Sequence, residues 1–171
     1  NKIKEAKKFN NIQLAVCLVK KNPLETIFQK ATELGVSNII PLISERTEVK
    51  DLNYERAKKI VIEATEQSNQ LIPPAISKVT KLKNFLESLD QSTKLLFADI
   101  NSKNNLDIKD FKEVKSLCVL IGPEGDFTPK ERETILSKTN TIPFSLSNNI
   151  LRADTATISA ISLINFVLSD H

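Results

Sequence analysis

The 171-residue chain is 40% hydrophobic and 26% charged, and it carries a formal net charge of +3. This composition is typical of a globular domain with one well-buried core, and it excludes low-complexity and collagen-like chains. No stretch approaches the roughly 20 apolar residues that span a bilayer, and the mild positive charge permits an RNA partner without requiring one.

Strand and helix patterns alternate along the chain. In chain order we predict a strand over 12–19, a helix from about Pro23 to a stop at Gly35, a strand over 38–43, a helix over 52–68, a short helix over 82–89, strands over 94–100 and 116–122, a helix over 129–138, a strand over 142–146 and a helix over 155–168. Near-continuous apolar strands between helices predict an α/β fold, with a mostly parallel sheet and helices on both faces.

Two cysteines sit inside apolar runs of this pattern. Cys17 and Cys118 are each flanked by Leu and Val, and cysteine in such a run usually behaves as a small buried hydrophobe. We therefore expect inert core thiols, a reducing compartment and a cytoplasmic location. We expect no membrane partner and no metal site.

The stretch LIGPEGDFTPKE, residues 120–131, runs from a predicted strand into a helix start. Thr128 and Glu131 have the spacing of a capping box, and Pro129 occupies the first helical position, where its missing N–H costs no bond. The helix is therefore predicted to begin at Pro129. The preceding hexapeptide GPEGDF remains as a tight connection at the carboxyl end of a strand, where ligands bind in such sheets.

Three interpretations of this hexapeptide compete. Its glycines, Gly122 and Gly125, are predicted either to adopt a positive φ or to let a ligand approach the backbone. A phosphate is disfavoured because the P-loop and G-x-G-x-x-G patterns are absent and because Glu124 and Asp126 would repel an anion. A plain turn and a site for a neutral or cationic nucleoside both stay open.

The second informative stretch is LSNNILRADTATISAISLI, residues 146–164. Polar residues precede Ile150 and Leu151, and Arg152 and Asp154 then stand at the start of an apolar helix. On local grounds Asp154 could be a helix cap with Arg152 as its surface ion-pair partner. A functional role for Arg152 is the alternative.

Together the two stretches resemble the paired signatures of the SPOUT-type ribosomal RNA small subunit methyltransferase E family, G-P-E-G-G-F/L and L-G-x-R-I-L-R-x-E-T-A. The segment FQKATELGVSNIIPLISERTEVK, residues 28–50, resembles the family's Q-K-x-x-E-L-G-V segment with its following P and E-R. The segment IEATEQSNQLIPPAI, residues 62–76, resembles its E-A-x-E-Q-S-x-R stretch. The resemblance covers nearly all of the chain after Asn11.

This resemblance implies a SPOUT-type fold with a C-terminal trefoil knot, an exception to the rule that chains are unknotted. It implies a homodimer with S-adenosyl-L-methionine as cofactor and methylation of uridine N3 in small-subunit (16S-type) ribosomal RNA as the reaction. Residues 12–171 would form the methyltransferase domain and residues 1–11 a linker remnant. The family's N-terminal PUA-like barrel is absent from this sequence.

The resemblance also implies a set of site residues. Arg152 and Glu124 are the candidate catalytic residues: Arg152 for charge developing on a uracil carbonyl oxygen, Glu124 for orienting a ribose hydroxyl or the substrate. The proton acceptor is a carboxylate or water, because His171 is the only histidine and ends the chain. The candidate cofactor-binding residues are Gly122, Pro123, Glu124, Gly125, Leu146, Ser147, Asn149, Ile150, Leu151, Thr155 and Ala156.

The chain departs from the family pattern at several positions. Asp126 replaces a glycine, Ser147 another glycine, and Asn149 and Gln70 replace arginines, while the T-E pair becomes Ala153–Asp154. Two alternatives follow: another SPOUT methyltransferase that acts on transfer RNA or on ribose, or a non-catalytic RNA-binding module. Direct binding of S-adenosylmethionine separates the last of these from an enzyme.

Overall fold

The computed structural model describes residues 11–111 and 114–169. These stretches contain β1 (Ile12–Cys17), α1 (Lys21–Glu33), β2 (Asn38–Ile43), α2 (Tyr54–Gln67), β3 (Ala75–Ile76), β4 (Thr80–Lys81), α3 (Leu82–Ser88), β5 (Thr93–Ala98), a 3₁₀ helix (Ile108–Phe111), β6 (Ser116–Ile121), α4 (Pro129–Ser137), β7 (Thr141–Phe144) and α5 (Ala153–Ser169). None of the helices in these stretches is long and apolar enough to cross a membrane. The predicted linker remnant lies outside the described residues apart from Asn11.

The strands form one sheet in the order β3-β2-β1-β6-β5-β7, with β4 pairing with β2 beyond the end of β3. All strand pairs in the described sheet are parallel. β1 and β6 lie at the centre, with Leu14 opposite both Ile39 of β2 and Val119 of β6. The predicted mostly parallel sheet is confirmed.

Both faces of this sheet are buried. Along β6, Leu117 and Val119 belong to one core cluster, whereas Cys118 and Leu120 belong to the other. Alternate strand residues point to opposite faces, so the two clusters occupy the two sides of the sheet. The first cluster includes residues of α1, α2 and α5, and the second includes residues of α3 and α4. The prediction of helices on both faces is confirmed.

Several predicted boundaries differ from the structure. α5 begins at Ala153, two residues before the predicted start, and β1 ends at Cys17 rather than Val19. Leu18 and Val19 stay buried after the strand ends, so their hydrophobicity extended the prediction. The two-residue strands β3 and β4 and the 3₁₀ helix were not predicted, because segments this short show no periodicity.

Cys17 and Cys118 are both free and buried, which confirms their predicted place in the core. Burial raises the pKa of each thiol to about 12, because a thiolate loses its hydration in an apolar interior. Thiolate is the reactive form of cysteine. At neutral pH both side chains are therefore unreactive in the folded protein.

We expect neither thiol to react with an aromatic disulfide reagent at pH 8 while the protein is folded. With pKa values near 12, only ~1 in 10⁴ of each thiol is ionised at that pH. In guanidinium chloride both thiols should react at once. The measurement is the absorbance of the released thiolate, and rapid release of one equivalent without denaturant would contradict the burial of these residues.

Candidate functional site

The candidate site is a cleft of about 410 Å³ at the carboxyl edge of the sheet. Parallel strands bring their carboxyl ends to one edge, where the loops that follow them meet. The cleft is lined by two strand ends, three loops and the start of α5, namely Ala98 at the end of β5 with Asp99, Ile100 and Asn101 after it, Ile121 at the end of β6 with Gly122, Pro123, Glu124, Gly125 and Asp126 after it, Leu146, Ser147, Asn149, Ile150 and Leu151 after β7, and Ala153 and Ala156 of α5.

The two loops that the sequence singles out therefore meet in one cleft. All of the predicted cofactor residues line it except Thr155. Thr155 is exposed on α5, whereas its neighbour Ala156 faces the cleft. Successive helix residues point about 100° apart, so Thr155 and Ala156 do not face the cleft together.

The loop after β5 was missed by the sequence analysis. Its residues Asp99 to Asn101 carry no motif, and Asp99 and Ile100 were assigned to the predicted strand over 94–100, which the structure ends at Ala98. The signal that could have found them is topological. β5 pairs directly with β6, so its carboxyl end must lie beside Gly122.

The backbone of the loop after β6 excludes one of the two expectations for its glycines, a positive φ, and leaves the approach of a ligand to the backbone as a prediction. Neither Gly122 nor Gly125 has a positive φ; the residue that does is Asp126, at 61°. Asp and Asn tolerate this left-handed conformation better than most other non-glycine residues. The Asp126 N–H donates to the Pro123 carbonyl at 2.9 Å, and its carboxylate accepts from the N–H of Phe127 at 2.8 Å. Asp126 thus has a positive φ at the position where the family pattern has a glycine.

Each glycine of this loop has a packing neighbour. A Cβ on Gly122 would lie 3.0 Å from a ring carbon of Phe127, too close for the ring to stay in place. A Cβ on Gly125 would lie 3.7 Å from the side chain of Arg46, an ordinary contact distance. Gly122 is therefore required by the buried Phe127 ring, and a larger residue at Gly125 would press on Arg46.

The loop is held by the segment that follows β2. The Arg46 guanidinium donates from Nη1 to the Gly125 carbonyl at 2.9 Å. The Glu45 N–H donates to Oε1 of Glu131 at 2.8 Å. The other carboxylate oxygen, Oε2, accepts from the N–H of Thr128 at 3.0 Å, and the Thr128 hydroxyl accepts from the Glu131 N–H at 3.2 Å. This confirms the predicted capping box and joins it to a second loop.

Asp99 forms the second anchor of the site. Its carboxylate is almost fully buried and accepts hydrogen bonds from Arg132 of α4: Oδ2 accepts from Nη2 at 2.7 Å and from Nε at 3.1 Å, and Oδ1 accepts from Nε at 3.2 Å. Asp99 raises the pKa of the Arg132 guanidinium, first through these hydrogen bonds. A buried carboxylate needs such a partner. The pair therefore fixes the end of β5 to α4 beneath the cleft.

The charge of the cleft lining is negative. Asp99, Glu124 and Asp126 line it, and no Lys or Arg is among the lining residues of this described cleft. A phosphate would be repelled, whereas a neutral or cationic ligand is compatible with the carboxylates and with the apolar Leu146, Ile121 and Leu151. No cluster of three or more metal-ligating side chains occurs in the part of the chain that the structure describes.

Arg152 lies in a second cavity of about 490 Å³, beside the first. Its Nε is 3.3 Å from Oδ1 of Asp154, and its side chain is 73% exposed. The bond angles do not make this contact a hydrogen bond, so Oδ1 of Asp154, itself buried, has no hydrogen-bond partner among the described residues. The ion pair of the local interpretation is present. The prediction that Asp154 caps the helix is wrong, because α5 begins at Ala153 and Asp154 lies inside the first turn.

The two cavities share a wall. Glu124 and Ala153 line both, whereas Arg152 lines only the second. The second cavity also contains cationic residues that the sequence analysis did not single out; its full lining is Lys20, Lys21, Asn22, Pro23, Glu124, Arg152, Ala153 and Asp154. The two candidate catalytic residues therefore stand at the boundary between an acidic cleft and a more cationic one.

Residues 5–165 match the family described as RNA methyltransferase domain. The chain is 38% identical to ribosomal RNA small subunit methyltransferase E of Rickettsia conorii over 165 residues, covering 95% of this chain and 66% of that protein. It is 36% identical to the protein of the same name from Aquifex aeolicus, covering 84% of this chain and 63% of the relative. The chain thus spans slightly less than two thirds of the length of these relatives.

Solved structures of similar proteins have the same fold. Ribosomal RNA small subunit methyltransferase E from Neisseria gonorrhoeae, bound to S-adenosyl methionine, superimposes with a TM-score of 0.84 at 28% identity, covering 91% of this chain and 65% of that one. A putative methyltransferase of Legionella pneumophila, in complex with the same cofactor, gives 0.78 at 31% identity, covering 91% of this chain and 66% of that one.

The position of Glu131 between two loops predicts a measurable coupling. Glu131→Ala should lower the free energy of unfolding by about 1–2 kcal/mol, because the bonds that the carboxylate accepts from the N–H groups of Thr128 and Glu45 are both lost. It should also speed amide hydrogen exchange at Glu45 and Thr128. Glu131→Gln keeps one acceptor oxygen, so its unfolding free energy and its exchange rates should lie between those of the unchanged chain and of Glu131→Ala.

The matched control is Glu133→Ala, which removes an exposed carboxylate from the same helix. It should change neither the unfolding free energy nor the exchange rates. Exchange at Glu45 that is equal in all variants would mean that the two loops are held independently.

Proposed function

The chain belongs to the RNA methyltransferase domain family, and from this we propose that it methylates N3 of a uridine in small-subunit ribosomal RNA, with S-adenosylmethionine as the methyl donor. The names of its relatives support the reaction and the RNA. The cofactor is supported by two similar structures that hold it. Residues 12–171 would form the methyltransferase domain.

The observation that carries this proposal is the acidic cleft lined by both sequence motifs. S-adenosylmethionine joins a neutral adenosine to a cationic sulfonium. A cleft whose described lining has no Lys or Arg, and in which Glu124 and Asp126 remain as carboxylates beside an Asp99 already paired with Arg132, fits this charge. A volume of about 410 Å³ lies within the usual range of pockets for small molecules. When bound, the cofactor supplies an electrophilic methyl group.

The residues of the cleft would bind the cofactor through backbone hydrogen bonds and apolar contacts. Backbone groups of Gly122 and Gly125 would hydrogen-bond the adenine, and Leu146, Ile150 and Leu151 would cover its face. Ile150 is 83% exposed, which leaves its side chain available to a ligand. Pro123 stiffens the first loop, and Ser147 holds the second through the bond from the Asn149 N–H at 3.0 Å.

Arg152 and Glu124 would act on the RNA. Arg152 lies in the neighbouring cavity and does not line the cofactor cleft, so its guanidinium would stabilise charge on a uracil carbonyl oxygen as N3 loses its proton. The proton would pass to a carboxylate or to water. Glu124, which lines both cavities, would orient the ribose hydroxyl or the base.

We also propose the C-terminal trefoil knot, a homodimer and a cytoplasmic location. After β7 at one edge of the sheet, the chain returns through the loop at the cleft so that α5 packs on α1 and β6; this path is consistent with a knot. Phe166 of α5 is 65% exposed, and a second copy of the chain would cover it.

The cleft assignment predicts the effect of removing Ile150. Ile150→Ala should weaken S-adenosylmethionine binding about tenfold, since the apolar surface that covers the ligand is lost. Ile72→Ala is the matched control, because Ile72 is similarly exposed at 80% but lies outside the cleft. The measurement is titration calorimetry. Equal affinities of the two variants would exclude Ile150 from the site, and absence of binding by the unchanged chain would favour a non-catalytic RNA-binding module.

Arg152→Ala tests the chemistry. It should reduce single-turnover methylation of small ribosomal subunits by roughly 10²–10³, as the loss of a charge-stabilising donor does elsewhere, and leave cofactor affinity and melting temperature nearly unchanged. Arg152→Lys should restore little, because an ammonium does not replace a planar guanidinium.

Arg56→Ala is the control for Arg152, since Arg56 is likewise an exposed arginine in an ion pair, with Glu25 at 2.9 Å. It should methylate at the normal rate. The assay uses the protein at its natural length. A normal rate with a lowered melting temperature in Arg152→Ala would mean that Arg152 is structural.

A further inference from the structure

Two lysines in the cavity that contains Arg152 have no assigned role. Lys20 and Lys21 stand after the central strand β1, at the start of α1, and both are exposed. The two cavities meet at Glu124 and Ala153. The lysines line only the cavity of Arg152 and not the cofactor cleft, and they face the same space as Arg152.

The charge of these lysines is only weakly compensated within the described residues: the pKa of the Glu25 carboxyl is lowered first by its hydrogen bond with Arg56, and Lys21 adds to this from a longer distance. Neither takes part in an ion pair among the described residues. The first turn of α1 holds no acidic residue. Glu25, one turn after Lys21, is already bound to Arg56 at 2.9 Å from one oxygen and 3.2 Å from the other.

Among the described residues, the cavity has two acidic side chains in its lining, and neither forms an ion pair with the lysines. Asp154 lies beside the Arg152 guanidinium, which leaves Glu124 as the remaining acidic side chain of the lining. Two adjacent lysines at the start of a helix oppose the preference of that position for acidic residues. Sequences break such local rules at functional sites.

We propose that Lys20 and Lys21 bind the phosphate backbone of a single-stranded RNA segment whose target base lies against Arg152 and Glu124. This inference rests on the proposed function. Methyl transfer at a base requires an unpaired nucleotide, and contacts to its phosphates fix the position of the strand without reading its sequence. Lys20 and Lys21 would be positioning residues, since they touch the backbone of the RNA and not the reacting atoms.

Several observations favour an RNA strand as the occupant over a small anion. The cavity combines cationic residues for phosphates with a shared wall that leads to the methyl-donor cleft. It also contains Glu124, which would repel a small free anion but would accept a hydrogen bond from a ribose hydroxyl. A strand can place its phosphate at the lysines and its ribose and base at Glu124 and Arg152.

The test compares two double variants with the same change in net charge. Lys20→Ala/Lys21→Ala removes the proposed contacts, and Lys58→Ala/Lys59→Ala removes two adjacent exposed lysines of α2 that lie outside both cavities. The probe is a fluorescein-labelled 12-nucleotide oligouridine, and its affinity is measured by anisotropy at several salt concentrations. Calorimetry with S-adenosylmethionine is run on each protein.

In the Lys20→Ala/Lys21→Ala variant, the plot of log affinity against log salt should become less steep by about 1.4, since each phosphate contact on a single strand contributes about 0.7. The control should keep the original slope. Cofactor affinity should be equal in all three proteins, which shows that the variants are folded.

Three outcomes would overturn the inference: an unchanged slope in Lys20→Ala/Lys21→Ala, an equal loss in the control, or no oligouridine binding by the unchanged chain at low salt while the cofactor still binds. Displacement of the oligouridine by millimolar inorganic phosphate would indicate a small-anion site instead. If the proposed function itself is wrong, calorimetry should show no binding of S-adenosylmethionine to the unchanged chain, which distinguishes this result from the outcomes above.

Discussion

The Glu131 carboxylate joins two loops at the carboxyl edge of the sheet, and the shape of the candidate site depends on it. One oxygen closes the capping box that starts α4, and the other accepts the N–H of Glu45 in the loop after β2. Arg46, the next residue, is thereby placed to bind the Gly125 carbonyl. The loop after β6 thus has a fixed end at the helix and a fixed point at its tip.

The buried Asp99–Arg132 pair has the same role for the neighbouring strand. It fixes the end of β5 to α4, the helix that Glu131 starts. Two loops of the cleft, which follow different strands, are thus both anchored to one short helix, α4. The third loop, after β7, is tied to them through the Ser145 N–H, which donates to the Asn104 carbonyl at 2.8 Å. A rigid cleft follows from a few polar contacts above a packed sheet.

The sequence predicted the parts of this arrangement that local chemistry determines. The spacing of Thr128, Pro129 and Glu131 dictates a capping box wherever it occurs, so the start of α4 was predicted to the residue. The apolar strands and amphipathic helices predicted the layered α/β fold for the same reason. Both sequence motifs then met in one cleft, because parallel strands end at a common edge.

What the sequence did not predict depends on contacts between distant residues. A positive φ was one of two expectations for the glycines, and it occurs at Asp126 instead, because only the assembled loop determines which residue turns. The loop after β5 was missed because its place in the cleft follows from strand order and not from a motif. Lys20 and Lys21 resemble ordinary surface lysines in sequence; the second cavity is what sets them beside Arg152.

The difference in charge between the two cavities connects the structure to the proposed chemistry. A methyl donor with a sulfonium and an RNA strand with phosphates attract opposite charges, so one uniform pocket would favour one reactant and repel the other. Here an acidic cleft and a more cationic cavity lie side by side, and Glu124 and Ala153 form their common wall. Each reactant would be held by its charged part on its own side. The methyl group, which is bonded to the sulfonium, and the base would then meet at the shared wall, and Arg152, which lines only the second cavity, would stand on the side of the base.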